Sequence, residues 1–305
     1  MNDIKILSVN LANERGIKYP VKEIELIKNG IKGDAHISTS RQVSIIDTDH
    51  INLFKELTHA RDTGFGEFAE NITAKGIGDN KIIPFDKFKI GKAELEVTQV
   101  GKPFHDKFRE IGNYVMPRVG IFCRVSKLGT IKAGDIMEYI PKTFKAIVIT
   151  LSDRASRGEY EDRSGPVIQK ILKSFFEKKD LPFKISSEVI PDDANKLVEV
   201  VTKAKNDKFD VIITTGGTGI GKRDITVETI QNMLDKEIPG IMEIIRMKYG
   251  MIKPNALLSR GVAGVIDDSL VYTLPGSVKA VNEYMNEILK TMYHLFFMLH
   301  GIDSH

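Results

Sequence analysis

The amino-acid sequence predicts two domains: an all-β, barrel-like domain over residues 1–142, and a three-layer α/β domain with a mostly parallel sheet over residues 143–305. Short β-rich segments separated by glycine turns fill the first half. Strand-like and helix-like segments alternate in the second half. Between them lies YIPKTFK, whose proline and flanking charge are typical of a linker. A chain of 305 residues accommodates two domains of roughly 100–200 residues each.

The first half is predicted to be a β-barrel or a sandwich, because it has many short strands and one clear helix. In AELEVTQV apolar and polar residues alternate, which predicts a strand with one buried face. HINLFKELTHA is the clear helix, and the preceding DTD supplies side chains that can cap its free amides. The β-rich segments are IKILSVNLA, VKEIELIK, RQVSIID, VGIFCRVSK and KFKIGKAELEVTQV, the last of which contains the alternating stretch.

The second half is predicted to be a parallel sheet covered by helices. KAIVITLS, ISSEVI, FDVIITTGG and LVYTLPG are strand-like, whereas GPVIQKILKSFFEKK, ANKLVEVVTKAKND and SVKAVNEYMNEILKTMYHLFFML are predicted helices. Ligands of such sheets bind at the carboxyl ends of the strands. The loops after Thr150, Ile190, Thr215 and Leu274 are therefore the candidate site.

The composition argues against nucleic-acid-binding, disulfide-rich and membrane-spanning proteins. The formal net charge of +3 is small for this length and does not indicate an extended nucleic-acid surface, although it allows a local basic pocket for phosphates. The single cysteine, Cys123, excludes an internal disulfide framework and a cysteine-rich zinc site, and it fits a reducing cytoplasm. No segment approaches the about 20 apolar residues of a membrane span, and the N-terminal apolar patch is too short for a signal peptide.

The loop GGTGIGKRDIT follows the strand that ends near Thr215. Gly216, Gly217 and Gly219 allow close approach of a ligand to the backbone, and exposed amides in such a loop can bind an anion. Lys222 and Arg223 add positive charge. The loop is not a P-loop, because Arg223 stands where a P-loop has the hydroxyl that binds Mg²⁺, and its glycine spacing does not match the dinucleotide fingerprint. The alternative is a glycine turn between a strand and a helix.

Carboxylates follow two of the strands. Asp224 comes directly after the basic pair, and Asp192 and Asp193 follow Ile190. A carboxylate among phosphate-binding groups is favourable when a cation lies between them, and Mg²⁺ prefers one or two carboxylates plus substrate phosphates. Asp192 and Asp224 together would make a metal site for phosphoryl or nucleotidyl transfer. The alternative is helix capping, which we favour for Asp193. Either Asp224 or Thr226 is a candidate cap for the helix VETIQNML, and with Thr226 as the cap Asp224 would be left free for the metal.

The remaining two loops are polar. LSDRASRGEYEDRSGP is long for a connection between strand and helix, and long ordered loops are often functional. It carries Ser152 and Asp153 at its start. In PGSVKA, Ser277 can contact a ligand at the helix N-terminus, or it can simply cap the last helix.

Taken together, these loops resemble the molybdopterin adenylyltransferases of molybdenum-cofactor synthesis, which are related to the N-terminal domain of gephyrin. The matching pieces span nearly all of Lys145 to Gly301 in order, and they are ITLSDRASRGEYEDRSGP, IPDD, TTGGTGIGKRDIT, EIPGIMEIIR, NALLSRGVAG and LPGSVKAV. The resemblance implies that the terminal phosphate of molybdopterin attacks the α-phosphate of ATP with Mg²⁺, giving adenylylated molybdopterin and pyrophosphate. It also implies a homotrimer formed through the C-terminal domain and a molybdenum-inserting partner enzyme.

The same resemblance implies roles for single residues. Asp192 and Asp224 correspond to the essential acids, as Mg²⁺ ligands or positioning groups. The residues implied to line the nucleotide and phosphate site or to contact substrate are Ser152, Asp153, Gly216, Gly217, Thr218, Gly219, Lys222, Arg223 and Ser277.

The first half resembles a MOSC domain, through GIKGDAH, RQVSIID, GFGEFAENIT, FKIGKAELEVTQVGK, MPRVGIFCRV and IKAGDIMEYI. The resemblance implies an accessory role related to pterin, metal or sulfur. Such domains usually carry a cysteine soon after TQVGK, whereas this chain has Phe104 and Phe108 there, with His105 as a weak substitute. Cys123 is expected to be a small buried residue. A polar pocket, or alternatively turn and barrel hydrogen bonds, is expected from Asp34, His36, Arg41, Glu70 and Asn71.

Two other functions compete with the adenylyltransferase. A non-catalytic molybdopterin-binding carrier or scaffold would release no pyrophosphate from ATP, and the presence of both Asp192 and Asp224 argues against it. An unrelated ATPase or kinase would form ADP without molybdopterin, and Arg223 in the position of the Mg²⁺-binding hydroxyl disfavours it.

Overall fold

The computed structural model describes residues 3–58, 63–78, 80–101 and 118–302, and the chain divides into two compact units, Met1–Lys142 and Thr143–His305. The predicted fold classes are confirmed: the first unit is a β-barrel and the second is a three-layer α/β domain. Within the described residues, no helix is both long enough and apolar enough to cross a membrane.

Seven strands of the first unit form a closed barrel in the order β11-β7-β8-β9-β5-β6-β1, with β1 pairing back onto β11. Strand β2 pairs with β1 outside the closed ring, and β10, β3 and β4 form a small separate sheet. The elements of this unit are β1 (Ile4–Leu11), β2 (Tyr19–Val21), β3 (Glu23–Ile27), β4 (Gly30–Ile31), β5 (Val43–Asp47), α1 (Thr48–Thr58), β6 (Ile72–Lys75), β7 (Lys87–Ile90), β8 (Ala93–Val100), β9 (Ile121–Lys127), β10 (Gly129–Lys132) and β11 (Ile136–Ile140).

Strand β8 corrects one prediction. Its alternating sequence predicts one buried face, but its first six residues are all buried. The outward carboxylates are covered by side chains from neighbouring strands, since Glu94 accepts hydrogen bonds from Lys87 at 3.0 Å and Lys127 at 2.8 Å. Glu96 accepts a hydrogen bond from Nε of Arg124 at 2.8 Å. Charged pairs therefore bury polar positions that the alternation assigns to solvent.

The second unit has a six-stranded sheet in the order β13-β12-β14-β17-β16-β15. Strands β13, β12, β14 and β17 are parallel, whereas β16 pairs antiparallel with both β17 and the edge strand β15. The elements are β12 (Phe144–Leu151), α2 (Asp153–Ser156), α3 (Ser164–Lys178), β13 (Phe183–Ile190), α4 (Ala194–Asn206), β14 (Val211–Thr215), α5 (Thr226–Gln231), β15 (Lys236–Glu237), α6 (Pro239–Gly250), a 3₁₀ turn (Pro254–Leu258), β16 (Ala263–Ile266), β17 (Ser269–Leu274) and α7 (Val278–Leu299).

Helices cover both faces of this sheet. Leu197 and Val201 of α4 and Ile230 of α5 pack in one apolar cluster with Ile149 and Ile212 of the sheet. On the other face α3 and α7 pack together, and α6 packs on α7. The continuous apolar sequences of β12 and β14 fit this arrangement, because both faces of these parallel strands are buried.

Candidate functional site

Four loops leave the same edge of the C-terminal sheet. The parallel strands end in register, with Leu151 beside Ile190 and Thr215 beside Leu274. The backbone N–H of Gly216 donates to the carbonyl of Leu274 at 3.0 Å, and the Thr215 hydroxyl donates to the carbonyl of Pro275 at 3.0 Å. The loops that follow β14 and β17 are therefore bonded to each other where they leave the sheet.

The loop that follows β14, GGTGIGKR (called the glycine loop below), needs glycine at its first two positions. Gly216 has φ +100° and Gly217 has φ +62°, in the region that side chains with a Cβ disfavour. A Cβ on Gly216 would overlap the carbonyl oxygen of Leu151, and one on Gly217 would overlap the hydroxyl of Thr226. The loop is thus shaped by packing against β12 and α5 as well as by its backbone conformation.

Thr226 closes the glycine loop and does not cap helix α5, so the capping alternative does not describe this residue. Its hydroxyl donates to the carbonyl of Gly216 at 2.8 Å, and its backbone N–H donates to the carbonyl of Gly217 at 3.1 Å. Thr226 is already the first helical residue, Ile225 holds the N-cap position, and that helix end has no side-chain cap. The hydroxyl is used by the loop and is unavailable to the helix.

Four consecutive amides of the loop are left without partners. The backbone N–H groups of Gly217, Thr218, Gly219 and Ile220 donate no hydrogen bond to any residue that the structure describes. Thr218 is only 6% exposed, whereas Ile220 at the end of the row is 86% exposed. Consecutive backbone amides of this kind form a concave site for an anion.

Asp153, Asp192 and Arg223 come together beside this loop. The backbone N–H of Asp153 donates to Oδ2 of Asp192 at 3.1 Å, and the N–H of Asp192 donates to Oδ1 of Asp153 at 3.2 Å. The other oxygen of Asp153 forms an ion pair with Arg223. A Cβ built on Gly217 would lie 3.6 Å from Oδ1 of Asp192, so this carboxylate faces the glycine loop.

Asp224 neither caps helix α5 nor is fully free. Its Oδ2 accepts a hydrogen bond from the N–H of Gly221 at 2.7 Å, and its own N–H donates to the carbonyl of Gly221 at 3.0 Å. A Cβ on Gly219 would lie 2.7 Å from the same carboxylate oxygen. Asp224 therefore folds back under the loop, while its Oδ1 accepts no hydrogen bond from the residues the structure describes. Those residues contain no group of three acidic, histidine or cysteine side chains arranged to hold a metal by themselves.

Several predicted residues act as helix caps. Asp193 accepts a hydrogen bond from the N–H of Lys196 at 2.8 Å and caps α4, as predicted. Ser152 accepts from the N–H of Ala155 at 3.2 Å and caps α2. The capping alternative also describes Ser277, which accepts from the N–H of Ala280 at 3.3 Å at the start of α7. Lys222 is exposed and forms no ion pair with any described residue.

Two contributors are not among the predicted site residues, although Asp162 belongs to the polar loop after Thr150. Arg260 donates from Nε to the carbonyl of Gly219 at 2.9 Å, although 41 positions separate them in the chain. Asp162 accepts from the hydroxyl of Thr150 at 2.7 Å and from the N–H of Gly165 at 3.0 Å, so it ties the first loop to helix α3. A capping pattern before SGP could have revealed Asp162, whereas no local pattern marks Arg260.

A buried polar network lies at one end of the N-terminal barrel. Lys18 and Asp34 are 1% and 5% exposed, and their Nζ and Oδ2 atoms are 2.5 Å apart. Asp34 also accepts from Nδ2 of Asn71 at 2.9 Å and from the backbone N–H of His36 at 3.0 Å. Burial raises the pKa of Asp34, but the bonds from His36 and Lys18 outweigh it and hold that pKa below its usual range. Burial lowers the pKa of Lys18.

Two other predicted residues of this domain, Glu70 and Arg41, form hydrogen bonds outside the contacts of Asp34. Glu70 accepts from the backbone N–H groups of Gly66 and Phe68 and stabilises a turn, and its burial raises its pKa. Arg41 lies in a separate set of contacts, where its Nε donates to Gln99 at 2.9 Å.

Cys123 lies in β9 and is fully buried, as expected, and burial raises the pKa of its thiol. Phe104, His105 and Phe108 lie outside the described residues.

Comparisons with known proteins match both halves of the chain. A MOSC domain matches residues 32–138, and a "probable molybdopterin binding domain" matches residues 147–294. The molybdopterin adenylyltransferase of Pyrococcus furiosus is 38% identical over 160 residues, which are 51% of this chain and 90% of that protein.

Two further relatives cover the same half. The molybdenum cofactor biosynthesis protein B of Bacillus cereus is 37% identical over 165 residues, which are 52% of this chain and 93% of that protein. The crystal structure of the tungsten cofactor synthesizing protein MoaB from Pyrococcus furiosus is 37% identical, covers 53% of this chain and 99% of its own, and has a TM-score of 0.47.

Proposed function

Because the chain belongs to the family of the probable molybdopterin binding domain, with a MOSC domain in the same chain, we propose that its C-terminal domain adenylylates molybdopterin with Mg-ATP. The observation that carries the proposal is the row of four free amides in the glycine loop, beside two carboxylates and an arginine. A phosphate chain needs such donors, and a nucleotidyl transfer needs carboxylates close to them.

The reaction joins two anions. An oxygen of the molybdopterin phosphate attacks the α-phosphorus of ATP, and a new P–O bond forms. The bond to the bridging oxygen between the α- and β-phosphates breaks, and pyrophosphate leaves with the electron pair. The free amides of residues 217–220 and the cation Lys222 would offset the charge of the phosphates, which is the main protein contribution to phosphoryl-type transfer.

The acidic residues fit a magnesium ion that is shared with the substrate. Asp192 and Asp224 each keep one oxygen, Oδ1, that accepts no hydrogen bond from the described residues. Mg²⁺ uses one or two carboxylates, with phosphate oxygens and waters as its other ligands, so a cage of three acidic side chains is not required. We propose that these two residues hold Mg²⁺, which when bound neutralises phosphate charge. The two reciprocal hydrogen bonds between Asp153 and Asp192 would orient the carboxylate of Asp192.

The decisive experiment is mass analysis of the products after incubation with Mg-ATP and molybdopterin. We expect adenylyl-molybdopterin and one pyrophosphate per product. A non-catalytic carrier would bind molybdopterin and release no pyrophosphate, and an ATPase or kinase would form ADP without molybdopterin.

Asp192→Asn and Asp224→Asn test the two carboxylates. Asn at 224 can still accept the Gly221 N–H, so the loop should keep its shape while the charge is lost. We expect each variant to lose about 100-fold or more in kcat. Asp193→Asn is the matched control, because it removes the same charge one residue away and Asn caps a helix as well as Asp does. Turnover of Asp192→Asn or Asp224→Asn close to that of the control would refute the assignment.

We further propose that the C-terminal domain forms the homotrimer. Apolar side chains are exposed from α6 to the end of the following 3₁₀ turn, including Met251 at 85% and Ile252 at 76% in the link between the two and Leu258 at 67%. An exposed patch of this kind is typical of a protein–protein contact.

For the MOSC domain we propose an accessory role toward the same cofactor, in concert with a molybdenum-inserting partner enzyme in the cytoplasm. His36 is partly exposed above the Lys18–Asp34 pair and is the group we assign to ligand contact. The thiol of Cys123 is buried with a raised pKa, so sulfur transfer through this cysteine is not part of the proposal.

A further inference from the structure

We propose that Arg260 is a positioning residue for the nucleotide site, and that it acts by fixing the carbonyl of Gly219 without touching the substrate. This inference rests on the proposed function of the same site. Arg260 lies between the 3₁₀ turn and β16, outside the four loops at the carboxyl edge of the sheet.

The backbone that carries Arg260 is held firmly. A Cβ on the next residue, Gly261, would lie 2.6 Å from the carbonyl oxygen of Thr273, so the chain presses directly on β17. The N–H of Val262 donates to the hydroxyl of Thr273 at 2.7 Å, and Arg246 donates to the carbonyl of Gly261 at 3.3 Å. The Arg260 side chain therefore starts from a fixed point of the sheet.

The guanidinium group uses two of its edges. Nε and Nη2 both donate to the carbonyl of Gly219, and Nη1 forms an ion pair with Glu228 in the first turn of α5. A planar fork with several donors can hold two partners at once in a defined geometry. Arg260 thus ties the middle of the glycine loop to helix α5, while Thr226 ties the beginning of the loop to the same helix.

The direction of the loop amides depends on this contact. A planar trans peptide points its carbonyl and its N–H to opposite sides, so a fixed Gly219 carbonyl fixes the direction of the Ile220 N–H. Ile220 supplies the last of the four free amides. Without Arg260, the Gly219–Ile220 peptide could rotate and present an oxygen to the phosphates where it now presents a donor. The carboxylate of Glu228 offsets the charge of Arg260, so the effect passes through the loop geometry.

Arg260→Lys tests the inference, because a single ammonium group cannot bind the Gly219 carbonyl and the Glu228 carboxylate in the same geometry as the guanidinium group. We expect the KM for ATP to rise about tenfold, as for loss of a hydrogen bond to a charged group. We expect kcat to stay within about threefold and the melting temperature to stay close to that of the wild type. Glu228→Gln is the matched control: it removes the ion pair but leaves both bonds to Gly219, and its KM should stay within about twofold of the wild type.

Calorimetric titration with inorganic pyrophosphate gives a readout that is independent of turnover. We expect Arg260→Lys to bind pyrophosphate about tenfold more weakly than the wild type and Glu228→Gln to bind it equally well. Wild-type affinity and KM in Arg260→Lys would overturn the inference, and so would an equal fall of kcat and melting temperature without a change in KM. If the wild type forms no adenylyl-molybdopterin, the proposed function fails, and the pyrophosphate titration still decides whether Arg260 positions the loop.

Discussion

Replacing Gly216 by Ala should destabilise the C-terminal domain because two separate effects act at one position. The first is the backbone, since a residue with a Cβ at φ +100° is in a sparsely populated region that costs about 1–3 kcal/mol. The second is packing, since the new methyl group would overlap the carbonyl oxygen of Leu151 at the end of β12. Forcing an extra methyl into a packed site costs typically about 1–3 kcal/mol.

Together these effects amount to about 2–6 kcal/mol. For a domain of roughly 150–250 residues, 1 kcal/mol shifts the melting temperature by about 2–4 °C. We therefore expect the transition of this domain to fall by roughly 10 °C in differential scanning calorimetry of the full chain.

Gly158→Ala isolates the backbone effect. Gly158 also has a positive φ, +73°, but it is exposed and a Cβ there would meet nothing within 4 Å. Its expected loss is about 1–2 kcal/mol, for the left-handed backbone conformation alone. Equal destabilisation by the two substitutions would show that the close approach of Gly216 to Leu151 carries no energetic weight, and the packing argument would be refuted.

Two further substitutions test other parts of the molecule. Asp34→Asn leaves the buried Lys18 charge without its partner and should cost the N-terminal domain about 3–5 kcal/mol at neutral pH. The pKa of Asp34 is lower in the folded than in the unfolded state, so its stabilising effect is complete above about pH 4 and is lost as the pH falls further. The free energy of unfolding in urea should therefore fall less from pH 5 to pH 3 in the variant than in the wild type. Parallel pH profiles of the two proteins would contradict this. If the C-terminal domain forms the proposed trimer, Met251→Lys should convert it to smaller species in light scattering, whereas Val198→Lys on the exposed side of α4 should not; an unchanged mass in Met251→Lys would argue against this interface.

Much of the fold follows from periodicity in the sequence. Continuous apolar segments such as KAIVITLS mark strands buried on both faces, and the helix spacing between them leaves few topologies for the C-terminal domain. The ends of these strands also identify the loops that meet at one edge. The burial of Glu94 and Glu96 on the outer face of β8 was not predictable in this way, because basic side chains from other strands cover both carboxylates.

The details of the site depend on contacts that are distant in the sequence. Thr226 has a sequence position that suits a helix cap, but its hydroxyl bonds to Gly216, ten residues earlier. The bond from Arg260 to Gly219 spans 41 residues and joins the segment before β16 to the loop after β14. Local patterns report on neighbours along the chain, so they identify candidate side chains but not the partners that occupy them.

These partners distinguish the three basic residues around the glycine loop. Arg223 is paired with Asp153, and Arg260 is paired with Glu228 and the Gly219 carbonyl. Among the residues that the structure describes, Lys222 has no such partner, although it adjoins Arg223 in the chain. A cation without a competing carboxylate loses no ion pair when it binds a phosphate. We therefore propose Lys222 as the basic residue of the loop that meets an incoming phosphate chain, while the two arginines are paired with the surrounding acids and backbone.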